Sequence, residues 1–205
     1  MDGVWVLLLL IFTAALPVLL AYIWFRAANI PLSRRRFLLS LAAGALSVPP
    51  AALMQHFLPL SGGLGGIFIR IAFTEELSRF LLIAALFKVI KPASGAAQGL
   101  LAGLGFALVE NAYYGAADIG ITLVRAFTAA PLHAACGARI GQAAAAIRQA
   151  PARTLIRFLS AVAIHGMYNF MIISPRIAPV FPVLLALSAL AASVQAIHGE
   201  ARGNV

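Results

Sequence analysis

The stretch VWVLLLLIFTAALPVLLAYIWF, residues 4–25, decides the fold class of this chain, because it contains no charged side chain. About 20 consecutive apolar residues are enough for an α-helix to cross the hydrocarbon core of a bilayer. Further apolar stretches of this kind follow, separated by short loops: 37–60, 65–90, 96–115, 120–147, 154–174 and 177–198. The sequence therefore predicts an all-α, polytopic membrane helix bundle with about seven transmembrane helices.

The composition agrees with a membrane protein. Of the 205 residues, 62% are hydrophobic and 10% are charged, whereas soluble domains average about 45–50% apolar and about 25% charged residues. The loops between the stretches leave no room for a soluble domain, so we expect one integral-membrane domain over residues 1–205. The single cysteine, Cys136, excludes a disulfide within the chain and a zinc site built from several cysteines.

The net charge of +9 reflects the orientation of the chain in the membrane. Basic residues follow the first, third, fifth and seventh apolar stretches, at Arg26, Arg34, Arg35, Arg36, Lys88, Lys91, Arg148, Arg153 and Arg202. The opposite loops, around residues 61–66, Asp118 and Arg176, are nearly free of positive charge. Because basic loops stay in the cytoplasm, we predict an outside N-terminus, a cytoplasmic C-terminus and location in a bacterial cytoplasmic (inner) membrane. We expect a lipid bilayer and no nucleic acid as partner.

The first apolar stretch is not expected to be a cleaved signal peptide. Its leading residues Met1-Asp2-Gly3 carry no positive charge, and Arg26 follows the apolar run instead of preceding it. A signal peptide has the opposite order.

Ionisable residues inside the apolar stretches point to a functional site. Each costs about 2.5–3.5 kcal/mol on insertion scales, so such residues are rare unless they serve a function. They occur, with polar neighbours, on four predicted helices: Glu75, Glu76 and Arg79; Glu110 and Asn111; His133; His165 and Asn169. At about 1.5 Å of rise per residue, these positions overlap in depth within the outer half of the bilayer. We therefore predict one polar site shared by four helices.

Spacing along the third predicted helix limits what its charged residues can do. Arg79 lies three and four residues after the two glutamates, within reach of either carboxylate. Glu75 and Glu76 point about 100° apart around the helix, so one should face a cavity and the other a neighbouring helix. The spacing does not decide which. Taken alone, this group could also be a structural ion pair, just as Asn111 alone could cap a helix.

The four motifs resemble those of the PrsW family of intramembrane proteases. That family is grouped with the type II CAAX prenyl proteases and the abortive-infection-type membrane proteins. Its pattern is a Glu-Glu-x-x-Lys helix, a Phe-x-x-x-Glu-Asn helix and histidines on two later helices. Here, over about residues 65–175, the pattern reads Glu75-Glu76-Leu77-Ser78-Arg79, Phe106 through Glu110-Asn111, His133, and His165-x-x-x-Asn169. Arg79 replaces the usual Lys, which keeps the charge but changes the geometry.

The resemblance implies hydrolysis of a peptide bond within or at the edge of the membrane, in a membrane protein or a lipidated peptide. Bacterial relatives act in regulated proteolysis, including the first cleavage of membrane-bound anti-sigma factors. The catalytic residues that it implies are Glu75, Glu76, Arg79, Glu110, Asn111, His133, His165 and Asn169.

Two mechanisms remain open at this point. In a metal-free mechanism, Glu75 or Glu76 acts as the general base that activates water. His165 and Asn169 would then stabilise the oxyanion, and His133 or Glu110 would orient the water or protonate the leaving amine.

In a metal-dependent mechanism, His133, His165 and Glu76 bind Zn²⁺ and a second glutamate is the base. No His-Glu-x-x-His motif is present, and the related CAAX-type enzymes suggest glutamate chemistry. The sequence therefore favours the form without a cofactor and keeps zinc as the alternative.

Two functions other than proteolysis are compatible with the same residues. A membrane scaffold or chaperone of this fold would use the polar cluster to hold helices together. A proton-coupled carrier would use buried glutamates and histidines as a relay, although the chain lacks the inverted repeat that is usual in carriers.

Overall fold

The computed structural model describes residues 3–59, 62–115 and 119–203. Met1, Asp2, Ser61 and Asp118, which entered the orientation argument, lie outside the described residues. The α-helices are α1 Gly3–Ala27, α2 Arg34–Leu46, α3 Val48–Phe57, α4 Gly63–Gly65, α5 Thr74–Val89, α6 Gly95–Gly115, α7 Ile119–Phe127, α8 Ala129–Ala146, α9 Pro151–Ile173 and α10 Val180–Gly203. A π-helical segment, Gly66–Phe73, joins α4 to α5. The described residues contain no β-strand.

These elements form seven continuous helical segments in the described part of the chain. The helix α2 continues into α3, α4 continues through the π segment into α5, and α7 continues into α8. Where the structure describes the chain, three segments are long and apolar enough to cross a membrane, namely Arg34–Phe57, Pro151–Ile173 and Val180–Gly203. The all-α bundle is therefore confirmed, while the number of crossings and the orientation remain predictions.

Prolines lie where two of the segments bend. Pro49 and Pro50 occupy the first turn of α3, directly after the break at Ser47. Pro131 lies in the first turn of α8, after the break at Thr128. Proline has no N–H to donate to the preceding turn, so it fits only at a helix start or a kink. These prolines therefore lie beside the two helix breaks, where the missing N–H costs no helical hydrogen bond.

The helices α6 and α8 pack backbone against backbone at the centre of the bundle. Gly99 and Gly103 of α6 lie against Gly137 and Gly141 of α8, and a Cβ at any of these positions would collide with backbone atoms of the other helix. Small residues allow this approach, which is a main source of helix association in membranes. The contact places His133, on α8, beside α6.

The π segment sets the position of the helix that carries the two glutamates. A π turn contains more residues than an α turn, so it changes the direction in which the following residues point. Arg70 in this segment donates from Nε to the carbonyl of Gln55 at 3.0 Å, which ties it to α3. On its other side, the ring of Phe68 occupies the space that a side chain at Gly166 would fill. The missing side chain lets α9 approach, and with it His165.

Candidate active site

Glu76 is held inside the protein by two charged or polar partners. Its Oε2 pairs with Arg79 Nη1 at 2.5 Å, and both side chains are fully buried. Its Oε1 lies 2.8 Å from His165 Nδ1. Because both carboxylate oxygens are engaged with buried groups, Glu76 has an orienting position and does not line the cavity described below.

Glu75 lines the cavity, and only one of its two carboxylate oxygens has a hydrogen-bond partner. Its Oε1 accepts a hydrogen bond from Gln55 Nε2 at 3.1 Å. Its Oε2 is buried without a hydrogen-bond partner and lies 3.6 Å from His165 Nε2. The angular difference predicted between the two glutamates is present, and the structure assigns the cavity side to Glu75.

His133 connects two charged groups across the bundle. Its Nε2 lies 2.8 Å from Glu110 Oε2, and its Nδ1 lies 3.4 Å from Arg79 Nη2. Its ring meets the ring of His165 edge to face, with 5.0 Å between the centroids. Both histidines are 2% exposed. The four-helix site that the sequence predicted is therefore assembled around this histidine pair.

Arg125, on α7, joins the site although it was not among the predicted site residues. Its Nη2 lies 2.5 Å from Glu110 Oε2, and its Nε donates to Asn111 Oδ1 at 2.9 Å. The guanidinium carbon lies 4.3 Å from the ring centroid of Tyr114. A carboxylate, an amide and an aromatic face therefore surround the charge of this guanidinium.

The predicted site residues divide between the wall of one cavity and the layer behind it. The cavity has a volume of about 700 Å³, within the range of ligand-binding pockets. It is lined by Glu75, Glu110, His133, His165 and Asn169. The side chain of Asn169 makes no hydrogen bond within the described part of the chain.

Glu76, Arg79 and Asn111 lie outside this lining and are fully buried. Asn111 therefore contacts the site through Arg125 and does not itself reach the cavity.

Three of the cavity residues are arranged as metal ligands. One donor atom each from Glu75, His133 and His165 lies within 4.8 Å of the other two. Two histidines and one carboxylate are a common donor set for catalytic zinc, and histidine ligands usually bond through their second nitrogen to a carboxylate. The contact from His165 Nδ1 to Glu76 has this form. The residues fit a metal, with Glu75 in the place that the sequence analysis gave to Glu76.

Gln55 was not among the predicted site residues. It lies in the apolar stretch 37–60, where an amide is a polar signal. Only the packing of α3 against α5 shows that it donates to Glu75. Sequence spacing could not supply this contact, because the two residues are on different helices.

The comparison with known proteins places the chain in a family. A family model described as PrsW family intramembrane metalloprotease matches residues 4–193. Neither a curated protein nor a solved structure matches the chain. The matched range contains all the cavity residues named above and most of the helical bundle, and it supports a membrane-embedded hydrolase acting on peptide bonds. The chain belongs to the PrsW family of intramembrane metalloproteases.

Proposed function

We propose that this protein is an intramembrane endopeptidase that hydrolyses a peptide bond of a membrane protein or lipidated peptide in the cavity between α5, α6, α8 and α9. The observation that carries this proposal is the buried Oε2 of Glu75, which has no hydrogen-bond partner and faces His165. A buried polar atom without a partner is costly. Among the residues of the cluster that have such an atom, Glu75 is the one that lines the cavity, and its position therefore supports a site that binds a further group there.

In this proposal, Glu75, His133 and His165 hold a divalent metal such as Zn²⁺ through one atom each. A metal held there would supply Lewis-acid activation of water and of the scissile carbonyl. Glu76 accepts a hydrogen bond from His165 Nδ1 and so keeps Nε2 directed towards Glu75. This reverses the preference for a metal-free mechanism, because the donor set and the family description agree.

Glu110 is the second carboxylate on the cavity wall and is the proposed general base. Its side chain is 20% exposed, so water and substrate can reach it. It would take a proton from the attacking water as the C–O bond forms, then give it to the amine as the C–N bond breaks. Arg125 and His133 hold its Oε2 in place.

Asn169 is the proposed donor to the carbonyl oxygen of the substrate. Its side chain lines the cavity near His165, and its amide has no competing hydrogen bond in the described part of the chain. Negative charge develops on the carbonyl oxygen during attack, and a donor placed there contributes to catalysis.

The rest of the cavity wall indicates the kind of substrate. Ile67, Ile71, Ile172 and Ile173 line it, so the residues next to the cleaved bond are expected to be apolar. A transmembrane segment has this composition. An anti-sigma factor in a bacterial inner membrane, as for the relatives that the sequence resembles, is our proposed substrate.

Metal content tests the proposed ligands. The purified protein is expected to contain about one zinc ion per chain and to lose it in His133→Ala and His165→Ala. The matched controls His56→Ala and His198→Ala change histidines outside the cavity lining and should keep the metal. Cleavage that persists in protein without metal, and that a chelator does not inhibit, would return the role of base to Glu75 in a metal-free mechanism.

Cleavage tests the function itself. We would compare membrane peptides from cells with and without the protein, then repeat the comparison with Glu75→Gln and Glu110→Gln. Both variants should lose the protein-dependent peptides. Glu200→Gln is the control, because Glu200 accepts hydrogen bonds from Ser94 and Gln142 and does not line the cavity. If the protein-dependent peptides persist with Glu75→Gln, the protease proposal is wrong and the membrane scaffold or chaperone becomes the favoured function.

A further inference from the structure

A second large cavity lies at the far end of α5 from the π segment. It has a volume of about 790 Å³ and is formed by the last turns of α5, the loop that follows it and the end of α8. Its lining includes Lys88, Lys91 and Arg148 at one end and Leu81, Ala84 and Ala144 along its length. We call this cavity the basic groove. It contains none of the residues that line the candidate active site.

The cations of the basic groove are not neutralised by the described part of the chain. Lys88, Lys91 and Arg148 are exposed, and their side chains make no ion pair or hydrogen bond there. The glutamates of the described residues are used elsewhere, three in the active site and Glu200 with Ser94 and Gln142. The groove is therefore complementary to a negatively charged group.

The remainder of the groove is complementary to hydrocarbon. From Lys88 back to Leu81 the floor follows α5 for about 10 Å, at about 1.5 Å per residue. Leu81, which lines the groove, is 53% exposed, and Phe80, Phe87 and Ile147 add further apolar surface to the lining. In a membrane protein such exposed apolar side chains face acyl chains. The groove thus has a positively charged end and an apolar floor, and the floor is long enough to contact part of an acyl chain.

We propose that the basic groove binds a phospholipid with a net negative headgroup, such as phosphatidylglycerol. Its phosphate would contact Lys88, Lys91 and Arg148, and one acyl chain would lie along Leu81 and Ala84 of α5. Clustered basic residues at the membrane surface attract anionic headgroups. An acidic peptide segment would use the cations but would leave the apolar floor uncovered. The proposal does not depend on the protease function.

Lipid binding to the purified full chain tests the proposal. Native mass spectrometry in detergent would count bound lipids as phosphatidylglycerol or phosphatidylcholine is added. We expect one saturable phosphatidylglycerol site that phosphatidylcholine does not fill. Each of Lys88→Gln, Lys91→Gln and Arg148→Gln should weaken binding by roughly fivefold, from the attraction of about 1 kcal/mol per basic residue near an anionic membrane surface.

Two further comparisons separate this site from general surface charge. The control combines Arg35→Gln, Arg36→Gln and Arg202→Gln, which lie outside the basic groove and together remove more charge than any single groove variant. It should retain the site, and an equal loss in this control would overturn the proposal. Ala84→Trp keeps every cation but fills the floor, and it should abolish phosphatidylglycerol binding.

Competition identifies the class of ligand. Glycerol phosphate, which has the headgroup anion without acyl chains, should displace phosphatidylglycerol only weakly. Displacement by glycerol phosphate at concentrations equal to those of the lipid would overturn the proposal, because the apolar floor would then contribute nothing. Saturable binding of an acidic peptide that phosphatidylglycerol does not displace would also overturn it and would identify a peptide site.

Discussion

The same substitution should affect stability to very different extents at the two adjacent glutamates of α5. Glu76→Gln removes the carboxylate that faces the fully buried Arg79. The guanidinium would then have no charged partner, only the neutral amide, His133 Nδ1 at 3.4 Å and the face of Phe106, whose centroid lies 4.5 Å from the guanidinium carbon. Removing one partner of a buried ion pair costs about 3–5 kcal/mol, because the other charge is left uncompensated. We expect a loss of that size in the free energy of unfolding.

Glu75→Gln should change the stability by less than about 1 kcal/mol. The amide has the same shape, and its oxygen can still accept from Gln55. The Oε2 that it replaces has no hydrogen bond to lose, so only a small effect is expected. The same substitution should abolish cleavage, since Glu75 lines the cavity.

The assay is thermal or chemical unfolding of the purified variants in detergent. A chelator must be present throughout, because a bound metal stabilises the folded state by mass action and would mix the two effects. The variant that combines Glu76→Gln with Arg79→Met removes both charges, so it should recover much of the stability that Glu76→Gln loses. The reasoning is refuted if Glu75→Gln unfolds as readily as Glu76→Gln, or if Arg79→Met adds to the loss.

Three further predictions follow from particular contacts. Gly103→Ala places a Cβ against the backbone of α8 and should cost about 1–3 kcal/mol in thermal unfolding. Gly199→Ala, which has nothing within 4 Å, should be neutral or slightly stabilising, and equal melting of the two variants would contradict the packing. Arg125→Met frees Glu110 from one of its two partners and should lower kcat about 10–100-fold with a smaller change in KM. Arg176→Met, an exposed control, should leave kcat unchanged, and a matching decrease would indicate a general charge effect. Gln55→Leu removes the donor to Glu75 Oε1 and should weaken zinc binding about tenfold in a chelator competition; unchanged affinity would show that Gln55 does not orient this carboxylate.

The polar residues of the site stood out in the sequence because of their surroundings. Apolar stretches are interrupted by Glu75, Glu110, His133 and His165. An ionisable group in such a stretch is costly to insert into a membrane, so it is rare unless it has a function. Helical rise then placed them at overlapping depths, and the structure brings them around one cavity. The helical segments were predictable for the same reason, since apolar runs of membrane length leave few alternatives to helix.

Contacts between helices could not be predicted in this way. Gln55 and Arg125 reach the site through the packing of α3 and α7, and their sequence separations from Glu75 and Glu110 carry no periodic signal. Arg125 in particular carries no local sign of its place in the site, because a single arginine near a helix end commonly extends to water. Its inward position depends on partners that come from α6.

What the sequence by itself determined is the all-helical membrane bundle and the set of ionisable residues within it, because hydrophobicity and helical rise act locally along the chain. What only the tertiary structure decided is which of the two adjacent glutamates lines the cavity, Glu75, and which pairs with buried side chains, Glu76. The π segment before α5 changes the direction of both side chains, and the close approach of α9 at Gly166 gives one of them His165 Nδ1 and the other the cavity. Directions set by such contacts depend on neighbours far apart in the chain, so they follow from packing.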